Sequence, residues 1–206
     1  MLTKIAVLVS GGGTNLQALI DAQAGGVLKS GQIRLVISSK DGVFALERAR
    51  AAGIPTAVCS RSGSASPADF EGAIQALLEQ EGIELIILAG FMSILSEDFV
   101  AKWPKRIINV HPSLIPSFCG QGFYGLRVHQ AALERGVKLT GATVHFVNQI
   151  PDGGEIILQK SVPVCLGDTA EALQRRVMEQ AEWRLLPKAA ELISAKIQKE
   201  GHSYGK

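Results

Sequence analysis

The segment Asn109-Val110-His111 places an amide and an imidazole two positions apart at the end of a short apolar run. In a strand, residues two apart point to the same face, so both side chains are expected to meet one ligand. An amide donates hydrogen bonds to developing negative charge, and an imidazole carries protons near neutral pH. The carboxyl ends of strands are where open α/β sheets bind ligands. A lone structural histidine at a strand end is the alternative interpretation.

A carboxylate follows at Asp152, within the turn Pro151–Gly154 between two predicted strands. If this hairpin lies beside the strand that ends at His111, the carboxylate reaches the imidazole. A carboxylate next to a histidine favours the charged ring and raises its pKa above about 6.5. The sequence therefore predicts that His111 is an acid near neutral pH, although Asp-Gly is also ordinary turn chemistry.

The segment Ser10–Asn15 reads SGGGTN and lies where a strand turns into a helix. Glycines there let backbone N–H groups approach an anion, and the helix N-terminus adds a partial positive charge, so a phosphate site is predicted. The segment is not a Walker loop, and Leu16 occupies the position of the last glycine of the dinucleotide fingerprint. A tight turn with Thr14 or Asn15 as the helix N-cap is the alternative.

The elements that would position these residues are visible in the sequence, where apolar runs of strand length alternate with helical patterns. That alternation predicts an α/β sheet with crossover helices, and the Pro151–Gly154 turn predicts an antiparallel pair at one sheet edge. A long last helix is expected from Asp168-Thr169 toward Lys199, with a kink at Pro187. The predicted strands are 5–9, 34–38, 56–59, 85–89, 107–110, 140–147 and 156–164, and the other predicted helices are 15–24, 43–52, one opened by Ser66-Pro67, and 128–135.

Composition excludes several classes of protein. The chain has 206 residues, of which 47% are hydrophobic and 19% charged, as in a packed globular domain. The net charge is +2 without a run of Lys or Arg, so no nucleic-acid partner is expected. No apolar stretch approaches the roughly 18 residues of a membrane helix, so no membrane is expected. The three cysteines have no CxxC spacing, which predicts neither disulfides nor zinc and favours the cytoplasm.

Five segments together resemble the folate-dependent formyltransferases, and among them the glycinamide ribonucleotide (GAR) formyltransferases of purine synthesis. They are Ser10–Asn15, Gly90–Leu95, Asn109–Pro116, Gly141–Val147 and Asp152–Gly154. The resemblance implies a Rossmann-like, mostly parallel sheet. It also implies a single formyltransferase domain over 1–206, with a phosphate-binding half over about 1–105 and a folate-binding and catalytic half over about 106–200. Chain length favours this family over methionyl-tRNA formyltransferases and formyltetrahydrofolate hydrolases, which carry an additional domain.

The resemblance further implies that an amine of GAR attacks the formyl group of the co-substrate 10-formyltetrahydrofolate through a tetrahedral intermediate, without a metal. The implied catalytic residues are Asn109, His111 and Asp152, and the implied GAR phosphate site is Gly13, Thr14 and Asn15. The implied folate-binding residues are Met92, Ser93, Ile94, Leu95, Asn109, Asn148, Gln149, Ile150, Pro151 and Asp152.

A family acid that contacts the glycinamide or ribose of GAR aligns with Glu182 if one extra residue is allowed, and with Glu179 otherwise. Ser93 stands where many relatives have Arg, so a backbone contact to folate is expected there. Arg61 is a candidate for the folate glutamate tail, with an exposed loop charge as the alternative. His145 alternates with apolar residues and is predicted to be a core residue, or one that supports the catalytic residues, rather than a proton carrier. His129 is predicted to be exposed.

Three other functions compete with formyl transfer to GAR. The nearest is 10-formyltetrahydrofolate hydrolysis, in which water replaces the amine. A nicotinamide-dependent oxidoreductase would use the glycine-rich turn, with Asp41 on a ribose. A non-catalytic ligand-binding module would use the same phosphate site. The expected partners are the two small-molecule substrates, and the chain is expected to be a monomer or a homodimer.

Overall fold

The structure is a computed structural model that describes residues 1–203, and seven strands form one sheet within it. The strands are β1 Thr3–Val9, β2 Gly31–Ser38, β3 Thr56–Val58, β4 Leu85–Leu88, β5 Ile107–His111, β6 Leu139–Phe146 and β7 Ile156–Pro163. Their order is β3-β2-β1-β4-β5-β6-β7. The first five pair in parallel, whereas β6 is antiparallel to both β5 and β7. The predicted α/β sheet with an antiparallel edge hairpin is confirmed.

The helices are α1 Thr14–Ala24, α2 Phe44–Ala51, α3 Pro67–Gln80, α4 Glu97–Ala101, α5 Leu126–Arg135, α6 Ala170–Val177 and α7 Trp183–Ser203. A short 3₁₀ turn spans Arg61–Gly63, and a π-helical turn spans Met178–Glu182. Ser66 accepts the N–H of Asp69 and Pro67 follows, which begins α3 as the sequence predicts.

The predicted long C-terminal helix is confirmed as α7, but the helical run that begins at Ala170 is not one uninterrupted α-helix. The π-helical turn interrupts the helical run between α6 and α7, and Pro187 lies inside α7. Thr169 accepts the N–H of Ala172, so α6 begins where the sequence predicts. The short helix α4 was not predicted, although Ser96 caps it by accepting the N–H of Phe99.

Two apolar cores lie on opposite faces of the sheet because alternate residues of a buried strand point to opposite faces. Val7 packs with Leu19 of α1 and Leu186 of α7 in one core. Leu8 packs with Ile74 of α3 in the other. The central strands are covered on both faces, which explains their continuous apolar runs.

The carboxyl ends of β1, β4 and β5 lie side by side at one edge of the sheet, since these strands are parallel neighbours. That edge therefore collects Ser10–Asn15, the segment Ala89–Leu95 and the residues after His111. Within residues 1–203, no helix combines the length and the apolar character needed to cross a bilayer.

Candidate active site

A cluster of polar side chains occupies the end of β5 and the turn between β6 and β7. Asp152 lies between two imidazoles, with Oδ2 at 3.4 Å from Nδ1 of His111 and Oδ1 at 3.5 Å from Nε2 of His145. Nδ2 of Asn109 lies 3.2 Å from the same Nε2 of His145. Asn109, His111, His145 and Asp152 are called the polar cluster below. The structure thus brings together the three residues that the sequence singled out and adds a fourth.

His145 was predicted to be a core residue or to support the catalytic residues rather than to carry protons, and its burial and its contacts with Asn109 and Asp152 fit that prediction. It is 1% exposed, and its Nδ1 donates to the carbonyl of Phe146 at 2.8 Å. Its Nε2 faces both Nδ2 of Asn109, at 3.2 Å, and Oδ1 of Asp152, at 3.5 Å. The contact follows from sheet register, because Asn109 and His145 are direct partners in the β5–β6 pair.

The backbone around Asp152 aims its carboxylate at the cluster. Asp152 has a positive φ of 55°, and the N–H of Gly153 donates to the carbonyl of Ile150 to close the turn. Asp152 Oδ2 also accepts the N–H of Gly120 at 2.9 Å. The carboxylate therefore connects the hairpin to residues 112–125, called the β5–α5 loop below.

His111 does not have the raised pKa that the sequence predicts. It is 4% exposed, and this burial lowers the pKa of its imidazole below the ordinary value, against the opposing effects of Asp152 and the carbonyl of Phe118. Nε2 donates to that carbonyl, in the β5–α5 loop, at 2.8 Å. The neutral ring then presents an unprotonated Nδ1 toward Asp152, where a transferred proton would be held between the two groups.

Asp152 remains the anionic member of the cluster. Burial raises its pKa, but hydrogen bonding with His145, the charge of His111 and the N–H of Gly120 outweigh this, so the net pKa is lowered. A carboxylate with a lowered pKa next to two buried imidazoles can orient them and accept or return protons.

A pocket of about 130 Å³ adjoins the polar cluster. It is lined by Leu88, Phe91, Ser93, Ile94, Leu95, Asn109, His145, Val147, Asn148, Gln149, Ile150, Pro151 and Asp152. All of the residues implied for folate except Met92 are among them. The side chain of Met92 is exposed, and its backbone N–H donates to Oγ of Ser10 at 2.9 Å. The apolar lining residues Leu88, Phe91 and Val147 were not predicted.

The glycine-rich segment forms an uncapped helix N-terminus at the same sheet edge. Gly13 is the N-cap of α1 with φ 72°, and no side chain caps the helix. The alternative of Thr14 or Asn15 as the N-cap is therefore wrong. Without a side-chain acceptor, the first N–H groups of α1 are available to an anion.

Asn15 and Glu182 connect this helix N-terminus to the π-helical turn. Nδ2 of Asn15 donates to Oε2 of Glu182 at 2.7 Å, and both side chains are buried. Glu179, the other candidate acid, is exposed. A π-helical turn holds one residue more than an α-helical turn, so it accommodates the extra residue that the alignment with Glu182 requires.

The environment of Glu182 disfavours the charged form of its carboxyl group. Burial raises the pKa of its carboxyl to about 6, and the hydrogen bond from Asn15 opposes this shift. Oδ1 of Asn15 is buried and has no hydrogen-bond partner in the structure. An unsatisfied acceptor beside a buried acid is typical of a site that awaits a ligand with hydroxyl or amine donors.

His129 is not exposed, contrary to the prediction. It lies on the buried face of α5, and neither ring nitrogen has a hydrogen-bond partner among the residues that the structure describes. Burial, followed by the nearby His111, lowers the pKa of His129 to about 4. No group of three or more potential metal ligands occurs among residues 1–203.

Comparison with known proteins gives a consistent assignment. The family model for formyl transferase matches residues 3–190. The chain is 41% identical to the phosphoribosylglycinamide formyltransferase of Haemophilus influenzae, over 90% of this chain and 84% of that protein. It is 48% identical to the trifunctional purine biosynthetic protein adenosine-3 of Gallus gallus over 93% of this chain, and it spans 18% of that protein's length.

Solved structures agree with the sequence comparisons. Glycinamide ribonucleotide transformylase 1 from Symbiobacterium toebii superposes with a TM-score of 0.88 at 40% identity, covering 95% of this chain and 89% of that one. Phosphoribosylglycinamide formyltransferase from Brucella melitensis superposes with a TM-score of 0.86 at 42% identity, covering 95% of this chain and 97% of that one.

Proposed function

Since the chain belongs to the formyl transferase family, with phosphoribosylglycinamide formyltransferases among its relatives, we propose that it transfers the formyl group of 10-formyltetrahydrofolate to the amine of GAR. The observation that carries the proposal is the joint position of two features. The polar cluster with its apolar pocket and the uncapped N-terminus of α1 lie at one edge of the sheet. One substrate can therefore bind to each, with the reacting groups between them.

GAR binds through its phosphate at Gly13, Thr14 and Asn15, where the N–H groups of α1 and the helix dipole favour a dianion. Glu182 accepts from hydroxyl or amine groups of the ribose or glycinamide, and Glu179 is too exposed to share this role. The pterin of the folate occupies the pocket between the segment 91–95 and the segment 147–152. No metal takes part.

The amine nitrogen of GAR attacks the formyl carbon, and the formyl oxygen becomes an oxyanion. Asn109 donates its side-chain N–H to that oxygen. The amine gives up a proton to the His111–Asp152 pair, where Nδ1 of His111 faces the carboxylate at 3.4 Å. The protonated imidazole stabilises the oxyanion and returns the proton to the folate nitrogen as the carbon–nitrogen bond to folate breaks.

The neutral state of His111 before the reaction sets the order of the proton transfers. Because burial lowers the pKa of His111, the ring is ready to accept the proton that the amine loses. Asp152 then stabilises the charge that the ring has gained. The imidazolium therefore forms during the reaction, whereas the sequence alone indicates a ring charged from the start.

The cellular setting belongs to the same proposal. Three free thiols fit a reducing compartment, which supports the cytoplasm. Both substrates are small molecules.

Formyl transfer is tested by following the folate absorbance change with purified protein, 10-formyltetrahydrofolate and GAR. We expect turnover only when GAR is present and formation of formyl-GAR in equal amounts by mass spectrometry. Folate turnover that does not depend on GAR would show hydrolysis, the competing reaction, and would overturn the proposal. Asn109→Ala and His111→Ala should each lower kcat by about a hundredfold or more while GAR binding is retained.

A further inference from the structure

The glycine-rich loop before α1 is fixed by a neighbouring helix rather than by its own contacts. The N–H of Ala45, in the first turn of α2, donates to the carbonyl of Gly11 at 3.2 Å. A Cβ at Gly13 would lie 2.6 Å from Cβ of Ala45, so the loop backbone packs directly on α2. The residues Gly11–Gly13 are called the phosphate loop below.

Arg48, one turn further along α2, completes this attachment. Its Nε donates to the carbonyl of Gly12 at 2.9 Å, and its Nη1 donates to Oε1 of Gln17 in α1 at 3.0 Å. Its guanidinium also lies 4.7 Å above the ring centre of Phe44. One planar side chain therefore joins the phosphate loop, the first turns of α1 and the start of α2.

The two hydrogen bonds of Arg48 have consequences for anion binding. A loop whose carbonyl groups are turned to α2 keeps its N–H groups on the opposite side, which is the arrangement an anion needs. The carbonyl of Gly12 is also neutralised by a cation, so it repels an incoming phosphate less. Arg48 lines, together with Thr14, a groove of about 650 Å³ that begins beside the loop, so its positive charge is also close to the phosphate site.

We propose that Arg48 is a positioning residue for the phosphate of the substrate: it holds the phosphate loop in its anion-binding conformation without touching the reacting groups. The inference rests on the proposed function for the identity of the phosphate ester. The loop geometry itself is independent of that identity, because any phosphate would use the same N–H groups.

The proposal requires the forked shape of arginine and not only its charge. Lysine carries its three N–H donors on a single nitrogen at the end of a flexible stem, so it does not reproduce the planar fork from which Arg48 donates to Gly12 and Gln17 through two nitrogens. Arg48→Lys should therefore behave like Arg48→Met if the residue acts by clamping the loop. It should behave like the wild type if the residue only supplies positive charge.

The test compares Arg48→Met and Arg48→Lys with Arg50→Met as the matched control. Arg50 lies on the same helix, is exposed, and its side chain forms no hydrogen bond or ion pair with residues 1–203. The readouts are KM for GAR, KM for 10-formyltetrahydrofolate, kcat, and the affinity for inorganic phosphate from the amide shifts of the phosphate loop by NMR.

We expect both Arg48 variants to raise KM for GAR and to weaken phosphate binding by about tenfold or more, with kcat and the folate KM unchanged. Arg50→Met should match the wild type. An Arg48→Lys variant with wild-type phosphate affinity, or an Arg48→Met variant whose only defect is a lower kcat, would overturn the positioning role. If the wild type transfers no formyl group, the proposed function fails, and the phosphate titration still decides the role of Arg48.

Discussion

The phosphate loop and the polar cluster lie at the same sheet edge but are built in opposite ways. In the phosphate loop, the carbonyl groups of Gly11 and Gly12 are occupied by α2, and the N–H groups at the start of α1 have no side-chain cap. In the polar cluster, the donors are occupied: His111 donates to Phe118, and Asn109 lies within hydrogen-bond distance of His145. The first is ready for a ligand, and the second is bonded within the protein.

Under the proposed function, this difference divides binding and chemistry between the two regions. A phosphate can bind to the loop without breaking a protein hydrogen bond, so binding costs little rearrangement. An oxyanion at the cluster can use the second N–H of the Asn109 amide, whereas a hydrogen bond from Nε2 of His111 would replace the one to the carbonyl of Phe118. The β5–α5 loop is therefore coupled to the cluster, because Phe118 and Gly120 are both bonded to it.

Replacing Asp152 should have the largest effect and tests the cluster half of this comparison. Asp152→Asn keeps the shape of the side chain and an acceptor for the N–H of Gly120, but it removes the charge beside His111 and His145. We expect kcat to fall by about 10²- to 10⁴-fold with KM for GAR nearly unchanged.

Steady-state kinetics with varied GAR checks this, with the exposed Asp41→Asn as control. A rise in KM for GAR without a fall in kcat would mean that Asp152 belongs to the binding region instead.

The sequence predicted the position of the phosphate loop because a strand-to-helix turn leaves a local signal in six contiguous residues, and the positive φ of Gly13 explains the glycine at the N-cap. The contacts with α2 that fix the loop leave no such signal. The strands and the edge hairpin were predictable for a similar reason, since burial on both faces and alternation leave a direct pattern in the chain.

The polar cluster was predicted only in part because its remaining members depend on distant contacts. His145 reaches Asn109 through the register of β5 on β6, which a single sequence does not state. The charge of His111 was predicted wrongly because the carboxylate beside it could be inferred but the depth of its burial could not. The π-helical turn also lacks a local signal in the sequence. It is visible only as the one extra residue that the alignment of Glu182 with the family acid requires.

Replacing Glu182 tests whether the buried acid that contacts the start of α1 carries a cost in stability. The folded-state pKa of about 6 lies above the ordinary carboxyl value, so the folded chain binds this proton more tightly than the unfolded chain. The stabilising contribution of the protonated acid is present at low pH and is lost as pH rises through about 6. Glu182→Gln cannot ionise and retains an acceptor for Asn15.

The variant should therefore gain up to about 2 kcal/mol over the wild type at pH 8 and about nothing at pH 4.5. Urea unfolding at both pH values measures this, and the exposed Glu179→Gln should show no pH-dependent difference. Equal gains at both pH values would mean that Glu182 does not carry a buried charge, and that its ionisation does not lower the stability of the protein.

The smallest expected effect comes from comparing two buried polar side chains of β6, one that has polar contacts and one that has none. His145 and Thr140 are both buried in β6, but His145 contacts Asn109 and Asp152, whereas Oγ1 of Thr140 has no hydrogen-bond partner in the described part of the chain. His145→Gln removes the imidazole that keeps Asn109 and Asp152 apart and in place, so kcat should fall about tenfold at unchanged KM for GAR. Thr140→Val removes an unsatisfied hydroxyl and should leave kcat unchanged with equal or higher stability in urea. If both variants retain full turnover, the hydrogen bonding inside the polar cluster is structural, and the contrast with the phosphate loop is one of packing and not of catalysis.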